Sequence, residues 1–247
     1  MKSWAWLACT AGLYAIALAA LAPARLLDSR LDAASDGRLR LVSTEGTLWS
    51  GRATAELRDD AGRRRWAAPL GWRLRPAGLL AGRLDYRLDT APGASLASLS
   101  LSRSRIEMLG LDLALPANAL AAALPGLAPW GIDGEVRVVA DRFGFGPAHA
   151  SGGLSLQWLS AGSSLSPVVP LGDYVLDAEA RDAGWQARLH TLAGPLQLSG
   201  QGGWRPAEAP VFEARARLPP DRQAELAPFL RLVAVERGDG SFEWRLP

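Results

Sequence analysis

Arg83-Leu84-Asp85-Tyr86-Arg87-Leu88-Asp89 alternates without a break, with Leu84, Tyr86 and Leu88 on one side and Arg83, Asp85, Arg87 and Asp89 on the other. Successive side chains of an extended backbone point to opposite faces, so a period of two marks a strand with one buried face and one wet face. The same alternation returns at 111–115, 134–138, 154–158, 174–180, 185–190, 212–218 and 242–246. Glycine and proline separate these runs, at Gly82, Pro92-Gly93, Gly110, Gly152-Gly153, Gly184, Gly194-Pro195 and Gly202-Gly203. One-sided strands belong to antiparallel sheets, so the pattern predicts a mainly β, curved antiparallel sheet.

Two segments leave this period. Residues 116–124 open on Pro116 and place Leu120 and Leu124 four apart; residues 219–232 open on Pro219-Pro220-Asp221 and carry Leu226, Phe229 and Leu230. Proline suits a first helical turn, and the apolar spacing is helical, so each predicts a short amphipathic helix laid on apolar sheet. Each follows a Leu-Pro pair (Leu115-Pro116, Leu218-Pro219), and Pro69-Leu70-Gly71 recurs as Pro170-Leu171-Gly172. These echoes fit two tandem repeats over 45–140 and 143–246, and they also fit chance matches in a Leu-, Ala- and Arg-rich chain.

Charge and cysteine content narrow the classes. The 247 residues carry 27 Lys and Arg, of which only Lys2 is lysine, against 25 Asp and Glu, for a net charge of +2. Arginine alternates with acids almost everywhere, and the densest basic run is Arg63-Arg64-Arg65, which argues against a nucleic-acid partner. A lone cysteine, Cys9, permits no intrachain disulfide and no cysteine-built zinc site. His149 and His190 lack the spacing of a metal pair and read as surface or edge-strand residues. No nucleophile elbow and no phosphate loop occurs, and Gly144-Phe145-Gly146-Pro147 falls short of a dinucleotide fingerprint. The expectation is no enzyme, no cofactor, no metal and no catalytic residue.

The N-terminus carries its own signal. Between Lys2 and Arg25 there is no charge. Residues 4–24 as a helix would reach about 31 Å at about 1.5 Å per residue, enough for a hydrocarbon layer of about 30 Å. Trp4 and Trp6 stand where an interfacial aromatic belt would lie. Residues 1–3 are read as a cytoplasmic stub, 4–24 as a transmembrane anchor and 25–247 as a periplasmic β domain. A cleaved signal peptide is the rival, through Ala20-Leu21-Ala22, but Pro23 in the first mature position disfavours cleavage.

Gly46-Thr47-Leu48-Trp49-Ser50-Gly51 is the most distinctive stretch, read as a short glycine-bounded strand with Trp49 filling a core end. Trp72, Leu74 and Pro76 follow in a W-x-L-x-P segment; Gly172 and Tyr174 open a later strand; Thr191, Gly194, Leu196, Leu198, Gly200, Gly202 and Trp204 close the series. Trp204 falls one position late, with Gly203 filling the gap. In this order, behind an apolar N-terminal run, the chain resembles the type II secretion system protein N family over essentially its whole length. The resemblance implies a single-pass inner-membrane protein of a Gram-negative bacterium. Its bulk would lie in the periplasm, where it would be an accessory part of the machine that exports folded proteins across the outer membrane. The partners implied are other secretion subunits, with the lipid bilayer around residues 4–24. The motif residues would then be structural. Periplasmic AsmA-like proteins offer a looser resemblance and a different reading, the handling of lipid or another hydrophobe on an apolar sheet face. A groove lined by Leu, Val and Trp and open to solvent would favour that alternative. A face fully capped by the two helices would favour assembly.

Overall fold

The computed structural model describes residues 6, 10, 12–14, 17–18, 20–91, 94–124, 127–146, 149–181, 184–205, 208–209, 211–237 and 241–246. The strands are β1 (Leu39–Gly46), β2 (Ser50–Arg58), β3 (Arg64–Arg75), β4 (Leu84–Ala91), β5 (Ala94–Leu101), β6 (Ile106–Pro116) and β7 (Ile132–Gly146). After them come β8 (His149–Ser163), β9 (Gly172–Arg181), β10 (Gly184–Ala193), β11 (Gln197–Trp204), β12 (Val211–Arg217), β13 (Val235–Glu236) and β14 (Phe242–Leu246). All join one 14-stranded sheet, paired in chain order except that β14 lies between β12 and β13. Every pairing is antiparallel. The alternating runs of the sequence all lie in these strands, and their apolar members face one side.

That side is concave. Adjacent strands lie about 4.8 Å apart, so four steps from β7 to β11 would span about 19 Å on a flat sheet. Phe145 on β7 nevertheless stacks on Trp204 of β11 with ring centroids 5.0 Å apart. Phe143 and Trp185, three strands apart, stack at 4.6 Å. Gly152, the partner of Phe143 on β8, takes φ +87°, and a Cβ there would run into Arg142 O. Ahead of β7, Trp130 meets Trp244 of β14 at 6.1 Å. Strands β7 to β14 therefore roll into a half-closed trough. Two bulges between β7 and β8 help the sheet bend. One puts its extra residue on β8, opposite Asp133–Glu135; the other puts it on β7, between Val139 and Arg142, which carries the apolar series of β7 from Val136 to Phe143 and Phe145.

Helices α1 (Arg25–Ala34), α2 (Ala117–Ala123) and α3 (Gln223–Val233) pack on the concave face. The two expected helices are α2 and α3. In α3, Leu226, Phe229 and Leu230 bury against Leu171, Leu196, Ala216 and Phe242. Helix α2 sits on β6 and β7 and reaches across to β2 and β3. Helix α1 was not foreseen. Its Leu27 and Leu31 cover Leu41, Ala53 and Trp72. Asp28 ties it down, accepting hydrogen bonds from Arg40 Nε at 3.0 Å and from the Leu41 N–H at 2.8 Å.

The echoes in the sequence fall unevenly. Leu115-Pro116 and Leu218-Pro219 both stand where a strand hands over to a helix. Pro69-Leu70-Gly71 lies inside β3, whereas Pro170-Leu171 precedes β9. Of the proposed span 4–24, residues 4–5, 7–9, 11, 15–16 and 19 lie outside the described residues. Among the described residues no helix is long and apolar enough to cross a membrane. Those described between 6 and 20 are helical and exposed, Trp6 at 74%.

Candidate functional site

The motif residues gather into two knots. In the first, Gly46 to Gly51 form the hairpin turn between β1 and β2, not the short strand expected. Gly46 takes φ +93°, a left-handed conformation, and a Cβ there would run into Ser50 O. Thr47 organises the turn: its hydroxyl oxygen accepts from the N–H groups of Trp49 and Ser50, each at 3.3 Å. A second correction concerns the core tryptophan. Trp49 is half-buried in the turn, while Trp72 on β3 is 5% exposed. Its Nε1 donates to Thr47 O at 3.0 Å, and its ring lies over Gly51, where a Cβ would come within 2.5 Å of it. The Leu74 N–H donates to Trp49 O at 2.6 Å, and Pro76 then starts a 3-10 turn over Pro76–Ala81. Two motifs separated by a whole strand thus form one unit. The N-terminal segment leaves from the same place: the Ala24 N–H donates to Gly46 O at 3.2 Å and the Leu48 N–H to Ala22 O at 2.9 Å.

The second knot joins β9, β10 and β11. Gly194 (φ +119°) lies so close to Gly172 and Leu171 that no side chain fits at 194. Tyr174 is buried, and its hydroxyl donates to Leu196 O at 3.0 Å. Burial pushes its pKa well above the ordinary tyrosine value, with Asp173 adding to the shift. The Leu198 N–H donates to Thr191 Oγ1 at 2.6 Å. Gly200 and Gly202 leave room for the Phe212 ring, and Trp204 ends β11 against Phe145.

Between α2 and α3 the concave face stays open as an apolar trough of about 430 Å³. Leu156, Trp158, Leu176, Leu189, Leu198 and Phe212 line it, all half-buried. Polar atoms around it are already engaged: Trp158 Nε1 donates to Asp133 O at 2.9 Å, and Ser163 Oγ to Trp130 O at 2.6 Å. What remains is a surface for apolar contact alone, within the range of small-ligand sites of about 300–1,000 Å³. The two helices do not cap the apolar face fully, and the groove they leave open is the feature that favours the handling of a hydrophobe. The reading of single residues could not reveal this space, because it depends on where α2 and α3 land.

The convex face is a lattice of ion pairs. Asp112 meets Arg137 at 2.6 Å and Glu243 meets Arg215 at 2.6 Å. Hydrogen bonds from arginines hold Asp28, Glu56, Asp112, Glu236 and Glu243 below the usual carboxylate range. A general acid at neutral pH needs the opposite shift. Among the described residues no group of three His, Cys, Asp or Glu could hold a metal. His190 is exposed on β10, and the side chain of His149 lies outside the described residues.

Comparison with known proteins follows the same lines. The family model for type II secretion system (T2SS), protein N, matches residues 37–245. No curated protein and no solved structure matches. The matched stretch runs from just ahead of β1 into β14 and takes in both knots and the trough. The chain belongs to the type II secretion system protein N family.

Proposed function

We propose that the chain is an accessory inner-membrane component of the type II secretion system. It would hold its β domain in the periplasm and support export of folded proteins across the outer membrane through contacts with other secretion subunits. The observation that carries this reading is the family match over residues 37–245, nearly the whole sheet. The anchor reading draws support from the exposed apolar residues Trp6, Leu13, Tyr14, Leu18 and Leu21 ahead of the sheet. An anchor raises the effective concentration of the domain near membrane-embedded partners without any new contact. The glycines and tryptophans of the two knots act as scaffold, setting turns and close approaches. Deleting the gene tests the reading: folded exoproteins should accumulate in the periplasm, with no enzymatic activity lost from the cell. Exchanging residues 1–24 for a cleavable signal should weaken export and leave the domain folded.

The open trough supports a second reading, in which the concave face takes up a lipid chain or another hydrophobe. An altered outer-membrane lipid composition in the deletion strain, with export intact, would favour it over the first.

A further inference from the structure

The loop between β3 and β4 reads Arg75-Pro76-Ala77-Gly78-Leu79-Leu80-Ala81-Gly82-Arg83, an apolar tip with an arginine at each foot. Leu80 is 96% exposed and Leu79 47%. The tip is nonetheless firmly built. Gly78 packs on Asp85 so closely that a Cβ would collide with the carboxylate, and Gly82 takes φ +67°. The Arg83 N–H donates to Gly78 O at 2.9 Å and the Gly82 N–H to Leu79 O at 3.0 Å. A fixed turn that holds two leucines in water gains only when an apolar medium receives them.

Beside the tip, on the convex face, Arg73 and Arg87 are direct cross-strand partners. Like charges set opposite one another repel. Neither they nor Arg75 form an ion pair among the described residues, and all three are exposed. The acids nearby are partly committed: Glu45 pairs with Arg52 at 2.7 Å, and Asp85 accepts from Ser100 Oγ at 2.6 Å and lies 4.0 Å from Arg83. Asp89 shares a shallow surface hollow with Arg73, Arg75 and Arg87. The patch thus keeps an excess of arginine, whose planar fork suits phosphate.

We propose that this end of the sheet rests on an anionic bilayer surface, with Leu79 and Leu80 in the interfacial layer and Arg73, Arg75, Arg83 and Arg87 on lipid phosphates. Its location fits. The β1–β2 turn holds both Ala22 and Leu74, so the N-terminal segment leaves the sheet one strand away from the tip. Where the bilayer lies rests on the anchor reading above; the arginine patch and the leucine tip do not. An acidic protein segment would satisfy the arginines alone, whereas a bilayer also receives the leucines.

The test uses the full chain with Cys9→Ser and Leu80→Cys, labelled with an environment-sensitive fluorophore and reconstituted in phosphatidylcholine vesicles with and without phosphatidylglycerol. Ala61→Cys, in the turn at the far ends of β2 and β3, serves as control. The label at 80 should shift to the blue and be quenched by nitroxide lipids several-fold more than the label at 61. Phosphatidylglycerol should strengthen the effect, and Arg73→Glu with Arg87→Glu should remove most of it, the circular dichroism spectrum staying unchanged. Equal quenching at 80 and 61, or quenching indifferent to both phosphatidylglycerol and the arginine changes, overturns the proposal. So does an unquenched tip whose arginines instead crosslink to an acidic segment of another subunit. Carbonate extraction of the same vesicles reads the anchor separately: release into the supernatant would refute the anchor, while lipid-dependent quenching at 80 would still uphold this surface.

Discussion

Truncating Trp72 should be the most damaging single change in the N-terminal half of the sheet. Its side chain is 5% exposed, packed with Leu41 and Ala53 beneath α1, and its Nε1 donates to Thr47 O at 3.0 Å. Removing a buried aromatic costs about 3–5 kcal/mol, because burial is lost and a cavity remains. That is a large share of a typical stability of about 5–15 kcal/mol. In a domain of this size each kcal/mol moves Tm by about 2–4 °C, so Trp72→Ala should lower it by about 6–20 °C. Trp72→Phe keeps most of the ring and forfeits the hydrogen bond, a loss of about 1–1.5 kcal/mol. Trp49→Ala, in a half-buried turn position, should cost about 1–2 kcal/mol. The assay is thermal and urea unfolding of the full chain in micelles, followed by the strand signal in circular dichroism, which does not depend on the tryptophan removed. The reasoning fails if Trp49→Ala costs as much as Trp72→Ala, or if Trp72→Ala costs less than about 1 kcal/mol.

Other substitutions probe the remaining supports. Asp28→Asn should cost about 1–2 kcal/mol at neutral pH, since it breaks a charged pair that fastens α1 to β1. Arg40 holds the Asp28 pKa below its ordinary value, so this stabilisation exists above about pH 4 and is lost as pH falls further. Unfolding curves of the two proteins should converge in that acid window, and a difference that persists there would contradict the assignment. Tyr174→Phe leaves Leu196 O without its buried donor and should cost about 1–2 kcal/mol by urea midpoint. Gly202→Ala sets a Cβ 2.5 Å from the Phe212 ring and should cost about 1–3 kcal/mol, with Gly71→Ala, where a Cβ would meet nothing closer than 3.8 Å, well below that.

Strand content was legible because the period-two signal is local: residues 84–88 alternate in sequence and face the same way in β4. The helices at 117–123 and 223–233 were legible for the same reason, from proline at the start and leucines one turn apart. Helix α1 was missed although Leu27 and Leu31 are four apart, because the apolar run before it dominates that part of the sequence and residues from 25 onward were read as β domain. Glycines at 46 and 51 suggested a bounded strand; the positive φ of Gly46 and the Thr47 hydroxyl make a turn instead. Trp49 was read as filling a core end from its neighbouring glycines alone; the long-range pairing of Gly51 with Trp72, which covers the Trp72 ring instead, is not visible in that local pattern. The trough and the exposed Leu80 were beyond reach, since each depends on what long-range packing leaves uncovered. The type II secretion resemblance came from the order of spaced glycines and tryptophans, which structure brings together into two contact units.

The most direct test is photo-crosslinking in the native membrane, with the probe placed in the chain at exposed positions around the sheet and the adducts identified. The account predicts adducts with other subunits of the type II secretion system, lost when the system's genes are absent. Adducts confined to lipid or to proteins outside the system, with export of folded proteins unchanged when the chain is deleted, would contradict it.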